Sequence, residues 1–474
     1  MTSPVHEDTI VAPATAPGES AIAVIRLSGP DALTVADRLF RPFRGPLPSQ
    51  MPPRTFAYGE VLAAPDGSVL DEAILLAFHA PHSYTGEDAA EIQCHGSPRT
   101  VRAILEAAIA AGARMAEPGE FTKCSFLNGK MDLTQAEAVA DLIHARSERA
   151  ARLANDQLHD ALGNRIRSLY DGLLRLSADS EDMLDFPDDE LPQEVPAEVL
   201  HRLHGLVARL DALLATWHEG RILRDGLQVA IAGAPNTGKS TLLNRLSGDD
   251  KSIVSPYPGT TRDLIEVETS LHGYPVRLVD TAGLRSAPDP VEQEGIRRAH
   301  HAVEVADLCI CLVDASQPLS EDETEFLLGR NSDTTLCLAN KMDLGDRSAT
   351  FHVGAHVFHP VSLRDLPSPE SVVRLVLQKA GLESVDGTPR CPSPTPLDAE
   401  SGSVAVSARH RKALVIARDE LRKAEECLAG GTEEAYLPVA VHLRSAAGQM
   451  AAILGRQWDE DTLDAIFSRF CVGK

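Results

Sequence analysis

The chain has no apolar run long enough to span a bilayer, no Cys-x-x-Cys pair, and too few cations to balance its carboxylates. Its longest apolar stretches, such as LCICLVD and AILLAFHA, fall far short of the ~20 residues that a spanning helix needs, which excludes a membrane partner by that route. The opening MTSPVHEDTI lacks a basic-then-apolar leader, so a cytoplasmic protein is expected. Eight cysteines are scattered, and Cys309, Cys311 and Cys337 stand inside strand-like apolar runs. That usage excludes a disulfide framework and a zinc site and predicts reduced thiols. Lys and Arg number 45 against 69 Asp and Glu, a formal net charge of −24. Such a field repels a polyanion, so an RNA partner needs a local basic patch or a second protein; ARSERAAR and RHRK are the candidate patches.

At 474 residues the chain is too long for one core. Residues 1–128 alternate short strand-like runs with helical patches and Pro/Gly turns, an α+β texture. Residues 129–225 are helical: Leu153, Leu158, Leu162, Ile166, Leu169, Leu173 and Leu176 recur at helical steps, and Leu203, Leu206, Leu210, Leu213 and Trp217 repeat the pattern. Residues 226–381 alternate strands and helices, which predicts a parallel sheet covered on both faces. After a Pro/Ser-rich linker, helical texture resumes within 382–474, with Leu414, Leu421 and Leu428 a heptad apart. The economical reading is one helical domain built from both flanks, with the α/β unit inserted into it.

The chain stops at FCVGK, with Cys471 in the position of a prenylated cysteine. Gly473 and Lys474 do not suit a prenylation box. Just before it, Leu463, Ile466, Phe467 and Phe470 form one apolar helix face, so this end is expected to be docked.

The segment LQVAIAGAPNTGKSTLLNRL reads as a strand, then Gly233-x4-Gly238-Lys239-Ser240, then an amphipathic helix. Glycines let backbone N–H groups curl around phosphate at a helix N-terminus, Lys239 supplies a point charge, and Ser240 can ligate Mg²⁺. Asn236, Thr237 and Thr241 complete that loop. Downstream, PGTTRD offers Thr261 as a second hydroxyl on Mg²⁺, and Asp280-Thr281-Ala282-Gly283 supplies the acidic residue behind the metal and a glycine N–H for the γ-phosphate. Asn340-Lys341-Met342-Asp343 reads guanine through a carboxylate accepting two N–H bonds, a pairing that adenine cannot offer. Four elements in this order predict a Mg²⁺-dependent GTPase of P-loop (Ras-like) fold. Leu284 follows the D-x-x-G motif where small GTPases place a water-orienting glutamine. Substitutes are a second cation near Asn236 and the Ser255–Thr261 loop, and a carboxylate such as Glu292.

Taken with DTIVAPATAPGESAIAVIRLSG, TGEDAAEIQCHG, PGEFTKCSFLNGKMDLTQAEAVADLI and the FCVGK end, the chain resembles the MnmE (TrmE) family of tRNA-modification GTPases over nearly its whole length. The resemblance implies a tetrahydrofolate-binding N-terminal α+β domain that also forms the homodimer, a helical domain, and a potassium-stimulated G domain. It further implies a partner, the FAD-containing protein MnmG (GidA), in a heterotetramer or larger assembly. Together they would add an aminomethyl-type group such as carboxymethylaminomethyl to carbon five of the wobble uridine of certain tRNAs, from a 5-formyl- or methylene-tetrahydrofolate donor. By motif, Asn236, Ser255, Tyr257 and Thr260 would surround K⁺, Ser240 and Thr261 hold Mg²⁺, and Glu292 orient water. Pro256, Pro258 and Gly259 belong to the same GTP-binding loop. Arg26, Glu91, Lys130 and Lys474 would hold folate, with Cys471 in or beside that pocket as a catalyst or as its lining. Where the family usually has Ser-Ala-Arg/Lys, this chain has Ser362-Leu363-Arg364, and the bulk of leucine predicts a looser base site. The competing class is a ribosome-assembly-type GTPase switch without one-carbon chemistry; a switch has no need of a docked Cys-Val-Gly-Lys end. A folate-binding module with a degenerate GTPase is set against by the intact nucleotide motifs.

Overall fold

A strand that buries one face alternates apolar and polar residues, and this period organises the first half of the molecule. The computed structural model describes residues 8–63, 67–185, 195–248, 265–281, 297, 301–344, 351–366, 368–384, 403–429 and 436–474. Contacts group the chain into two compact units. One comprises Met1–Ala140, Leu158–Ser177 and Leu443–Lys474, the other Asp141–Gln157 and Ala178–His442.

In the first unit, strands β1 (Ile10–Pro13), β2 (Ser20–Ser28), β3 (Phe40–Pro42), β4 (Thr55–Leu62), β5 (Val69–Phe78), β6 (Ala89–Gly96) and β7 (Arg114–Met115) form one sheet in the order β3-β4-β5-β6-β2-β1-β7. Ile25, Leu27, Val61, Leu75 and Ile92 point to one face, where they pack with Ala36 and Leu39 of helix Ala32–Leu39 and Ile104 and Ala108 of helix Pro98–Ala110. The opposite face is set by register: Arg26 lies beside Glu91, Glu91 beside Leu76, and Leu76 beside Phe56. At its β1 end this face is covered by Phe121 and Cys124 of helix Glu120–Leu127, which cluster with Ile10 and Ala12. Farther along it is open, with Phe56 71 %, Tyr58 51 % and Ile22 59 % exposed.

The leucine repeat that crosses Leu153 to Leu176 belongs to two helices rather than one. Helix Glu148–Leu158 ends at Asp160, whose φ of +73° stops it, and helix Ala161–Asp185 begins beyond. The left-handed turn costs a non-glycine residue conformational energy. It is held by Arg167, which pairs with Asp160 and, at 2.8 Å, with Asp132.

In the second unit, β8 (Leu227–Ala232), β9 (Ile265–Leu271), β10 (Tyr274–Asp280), β11 (Leu308–Asp314), β12 (Thr335–Asn340), β13 (His352–Val353) and β14 (His356–Pro360) take the order β13-β14-β12-β11-β8-β10-β9. The five inner strands are parallel, and β9 and β13 run antiparallel at the edges. The central strands β8, β11 and β12 are largely apolar and almost wholly buried, the pattern of a sheet covered on both faces, and Cys309, Cys311 and Cys337 are buried thiols within it. Leu203, Leu206, Leu210 and Leu213 are buried on helix Val195–Ala215, which packs along helix Ala408–Ala429 with its buried Leu414 and Leu421. Among the described residues no helix is long and apolar enough to cross a membrane.

The β9–β10 turn carries His272 in a left-handed conformation, φ +47°, with its imidazole between two carboxylates. Nδ1 is 2.6 Å from Glu383 and Nε2 is 3.1 Å from Glu370, whose other oxygen accepts from Arg374 at 2.8 Å. Burial works against the charge, but the hydrogen bonds to Glu383 and Glu370 outweigh it and raise the His272 pKa above its ordinary 6.5. A raised folded pKa stabilises fully below the unfolded value, and that stabilisation is lost as pH rises through the folded value. The difference in melting temperature between wild type and His272→Gln is therefore expected to shrink as pH rises from 6 towards 8.5. A difference independent of pH would show that the imidazolium does not hold the turn.

Candidate functional sites

The nucleotide loop follows from two positions that exclude a side chain. At Gly233, φ +152°, a Cβ would lie 2.2 Å from the Leu312 carbonyl oxygen, and at Gly238, φ +105°, 2.5 Å from the Asn340 amide nitrogen. Between them the chain turns through Asn236, also left-handed at φ +63°, and enters helix Lys239–Ser247. Lys239 is buried, and its ammonium donates to the carbonyls of Gly233 and Ala234 at 2.9 and 3.0 Å. Burial pushes its pKa down, opposed by the carboxylate of Asp280. Asp280, at the end of β10, is buried as well; Ser240 Oγ donates to its Oδ2 at 3.4 Å, and its buried Oδ1 has no hydrogen-bond partner among the described residues. A hydroxyl beside a carboxylate with a spare buried oxygen suits a hard divalent cation that prefers oxygen ligands and keeps waters, so the residues present fit Mg²⁺.

Asn340 is a brace. Its Nδ2 donates to the Thr237 carbonyl at 2.7 Å while its Oδ1 accepts from the Leu363 N–H at 3.0 Å, tying the phosphate loop to the base loop. Lys341 pairs with Asp314 at 2.6 Å, and Ser362 Oγ donates to Asp343 Oδ1 at 2.8 Å. Leu363 turns its side chain into the hydrophobic core, so the bulk expected to loosen the base site is accommodated inside the protein. Ser255, Pro256, Tyr257, Pro258, Gly259, Thr260, Thr261, Ala282, Gly283, Leu284 and Glu292 lie outside the described residues.

In the first unit the chain end returns to the sheet. Phe467 and Phe470 pack with Phe126, Leu133, Leu463 and Ile466. Three glycines mark close approaches: a Cβ at Gly119 would lie 2.6 Å from the Phe467 carbonyl oxygen, at Gly455 2.7 Å from the Phe126 ring, and at Gly473 2.0 Å from the Pro13 carbonyl oxygen. Val472 bridges to Pro118. The Gly473 carbonyl thereby comes within 3.5 Å of Arg26 Nη1, while Arg26 Nε and Nη2 both donate to one oxygen of Glu91, at 2.9 and 2.8 Å. Lys474 is half-buried there; burial and then the charge of Arg26 push its ammonium pKa down, with Glu91 opposing. Tyr84 stacks against the Arg26 guanidinium at 5.3 Å.

Lys130 stands behind the same loop rather than in contact with the pair. Its Nζ donates to the Pro81 carbonyl at 2.9 Å, its aliphatic stem packs against Gly86, and Asn128 donates to the Thr85 carbonyl. Arg26, Glu91 and Lys474 are thus brought together, Lys130 is one loop away, and the Cys471 thiol is exposed.

Residues 9–130 match the family described as GTP-binding protein TrmE N-terminus, and residues 133–471 match the MnmE helical domain. The tRNA modification GTPase MnmE of Symbiobacterium thermophilum is 41 % identical over 479 residues, covering 99 % of this chain and 100 % of that protein. That of Roseiflexus sp. (strain RS-1) is 40 % identical over 470 residues, with 99 % and 100 % covered. The chain belongs to the MnmE family. As an MnmE protein it is a GTP-binding enzyme, a GTPase acting in tRNA modification.

Within this MnmE chain, Tyr84, Ser362 and Asn340 carry structural work that residue type alone underdetermines. The sequence marked Asn340 through the guanine-reading motif and Ser362 through the Ser-Leu-Arg segment, but not the contacts that either makes, and it did not mark Tyr84. Ser362 is the clearest case, because it fixes the rotamer of Asp343 with Asp365 as a second acceptor at 3.2 Å. A hydrogen bond to a carboxylate of this kind contributes about 1 kcal/mol or more. Ser362→Ala is expected to weaken GDP binding roughly five-fold in a fluorescent-nucleotide titration; an unchanged Kd would release Ser362 from that role.

Proposed function

We propose that this GTPase uses a tetrahydrofolate one-carbon donor, held in the corner formed by Arg26, Glu91 and Lys474, to build an aminomethyl-type group on C5 of a tRNA wobble uridine. The supporting observation is the return of the chain end: a glycine that admits no side chain lays the last residues against Pro13, which brings Gly473 and Lys474 to the Arg26–Glu91 pair. The residues suit a folate. Arg26 occupies one oxygen of Glu91, leaving the other for N–H groups of an amino-pyrimidine ring, and Lys474 with the nearby Lys130 suits a glutamate carboxylate. When bound, the folate would supply the carbon; the chain's own groups bind and orient it. Cys471 stands three residues before Lys474 in the chain with an exposed thiol, as a catalyst or as lining.

The same reading assigns Ser240 and Thr261 to Mg²⁺, Asn236, Ser255, Tyr257 and Thr260 to K⁺, and Glu292 to the attacking water. Among the described residues, Asp280 is a carboxylate within hydrogen-bond reach of Ser240. It includes a homodimer through the open sheet face, where Phe56 and Tyr58 on β4, and Ile22 three strands away on β2, are exposed; apolar side chains gathered on one exposed face mark interaction sites. An FAD-containing MnmG partner and a cytoplasmic location complete the proposal. The alternative, a ribosome-assembly-type switch, gives the docked end no task.

Gly473→Ala is the discriminating variant, since a methyl 2.0 Å from the Pro13 carbonyl must displace the tail. Binding of 5-formyl-tetrahydrofolate by calorimetry is expected to fall at least ten-fold, and wobble-uridine modification in complemented cells to disappear, while GTP hydrolysis stays within two-fold. Full folate binding in this variant and in Glu91→Gln would remove the assignment. Separately, replacing K⁺ by Na⁺ is expected to slow wild-type GTP hydrolysis at least five-fold, and turnover indifferent to the cation would remove K⁺ from the loop.

A further inference from the structure

Strands β9 and β10 form one hairpin whose open end carries both nucleotide-sensing segments. Ile265, four residues after Thr261 in the sequence, opposes Asp280 there, and Asp280 directly precedes Thr281. Its closed end, where Leu271 opposes Tyr274, is about 20 Å away by the rise of seven extended residues. Among the described residues β9 pairs only with β10, while β10 is also held by β8 from Leu227 to Ile231, so β9 is the strand of the hairpin that is held on one side alone.

The closed end is gripped by side chains from two helices of the same unit. Arg149, on helix Glu148–Leu158, lays its guanidinium over the Tyr274 ring at 4.4 Å and pairs with Glu219 of helix Trp217–Asp225. The Tyr274 hydroxyl donates to the same Glu219 oxygen at 2.9 Å, and the ring is 1 % exposed. The β-carbon of Arg149 also packs on the turn: a Cβ at Gly273 would lie 3.3 Å from it. Arg146, just before the helix, pairs with Glu268 in the middle of β9. A planar cation stacked on a buried ring and shared with one carboxylate is a directional contact that a lysine cannot reproduce.

We propose that Arg149 is a coupling residue outside the nucleotide site: clamped by Glu219 and stacked on Tyr274, it transmits the position of the β9–β10 hairpin, and with it the nucleotide state, to helix Glu148–Leu158. A shift at Asp280 or after Thr261 moves a hydrogen-bonded ribbon as one piece, and the ribbon's far end can move only with Arg149 or by breaking its stack. Interfaces of packed side chains respond by switching between arrangements rather than by yielding smoothly. The inference rests on the GTPase itself and is independent of the folate reading.

Hydrogen exchange of the full-length protein tests it, with GDP compared against a non-hydrolysable GTP analogue. Amides of residues 148–158 are expected to differ at least three-fold in exchange rate between the two states in the wild type. In Arg149→Ala that difference is expected to vanish, with GTP hydrolysis within two-fold of wild type; Arg149→Lys, which keeps charge but not the planar stack, should lose most of it. Glu219→Gln, which preserves shape, serves if Arg149→Ala folds poorly and is expected to reduce the difference by half or more. Exchange in this helix that ignores the nucleotide in the wild type, or a full difference retained in Arg149→Lys and Glu219→Gln, would overturn the proposal.

Discussion

The fold depends on the chain end being returned to the chain start. Phe467 and Phe470 are buried with Phe126 and Leu133, and Gly119, Gly455 and Gly473 each stand where a methyl group would collide with the segment they touch. Burying two phenylalanines stabilises by about 3–6 kcal/mol, enough to hold a short helix that would not form alone. Because residues 443–474 pack in one unit with residues before 140, the parallel sheet has to be an excursion from a framework closed behind it. The constraint also decides which residues are available at the corner beside Arg26: they come from the last turn of the chain.

What the sequence made legible follows the strength of each local signal. The phosphate loop could be read because glycine spacing, a preceding apolar strand and a following helix all state the same geometry, and Gly233 and Gly238 are the positions where a side chain has no room. The docked tail could be read because four apolar residues share one helix face. The break at Asp160 could not, since the leucine period runs through it unchanged; the left-handed turn is maintained by Arg167 and its two aspartates, a contact between residues far apart in sequence. Asn340 carries the recognition motif yet spends both ends of its amide on protein. The separation of Lys130 from the Arg26–Glu91 pair is likewise a matter of one intervening loop, and spacing along the chain does not contain it.

Charge is arranged on two scales. Over the whole chain it is strongly negative, and long-range steering of tRNA by this chain alone is excluded. Locally, buried Lys239 is set against Asp280 and buried Glu383 against His272, and the half-buried groups are opposed too: Arg26 and Lys474 with Glu91, His272 with Glu370. A buried charge needs a partner or costs several kcal/mol, so each set is a place where structure has been made conditional on charge.

In two of those sets the partnering is incomplete. Among the described residues, Asp280 keeps a buried oxygen without a hydrogen bond, and Glu383 keeps another. The first faces a hydroxyl and a phosphate loop, so the missing partner is one that a metal bound with nucleotide can supply. The second lies at the opposite end of the same hairpin, where its other oxygen holds His272. A ribbon with an unpartnered carboxylate oxygen beside its open end and another beside its closed end has two ends that can each gain a partner separately. That is the condition under which binding at one end can be felt at the other without any change in the sheet between them.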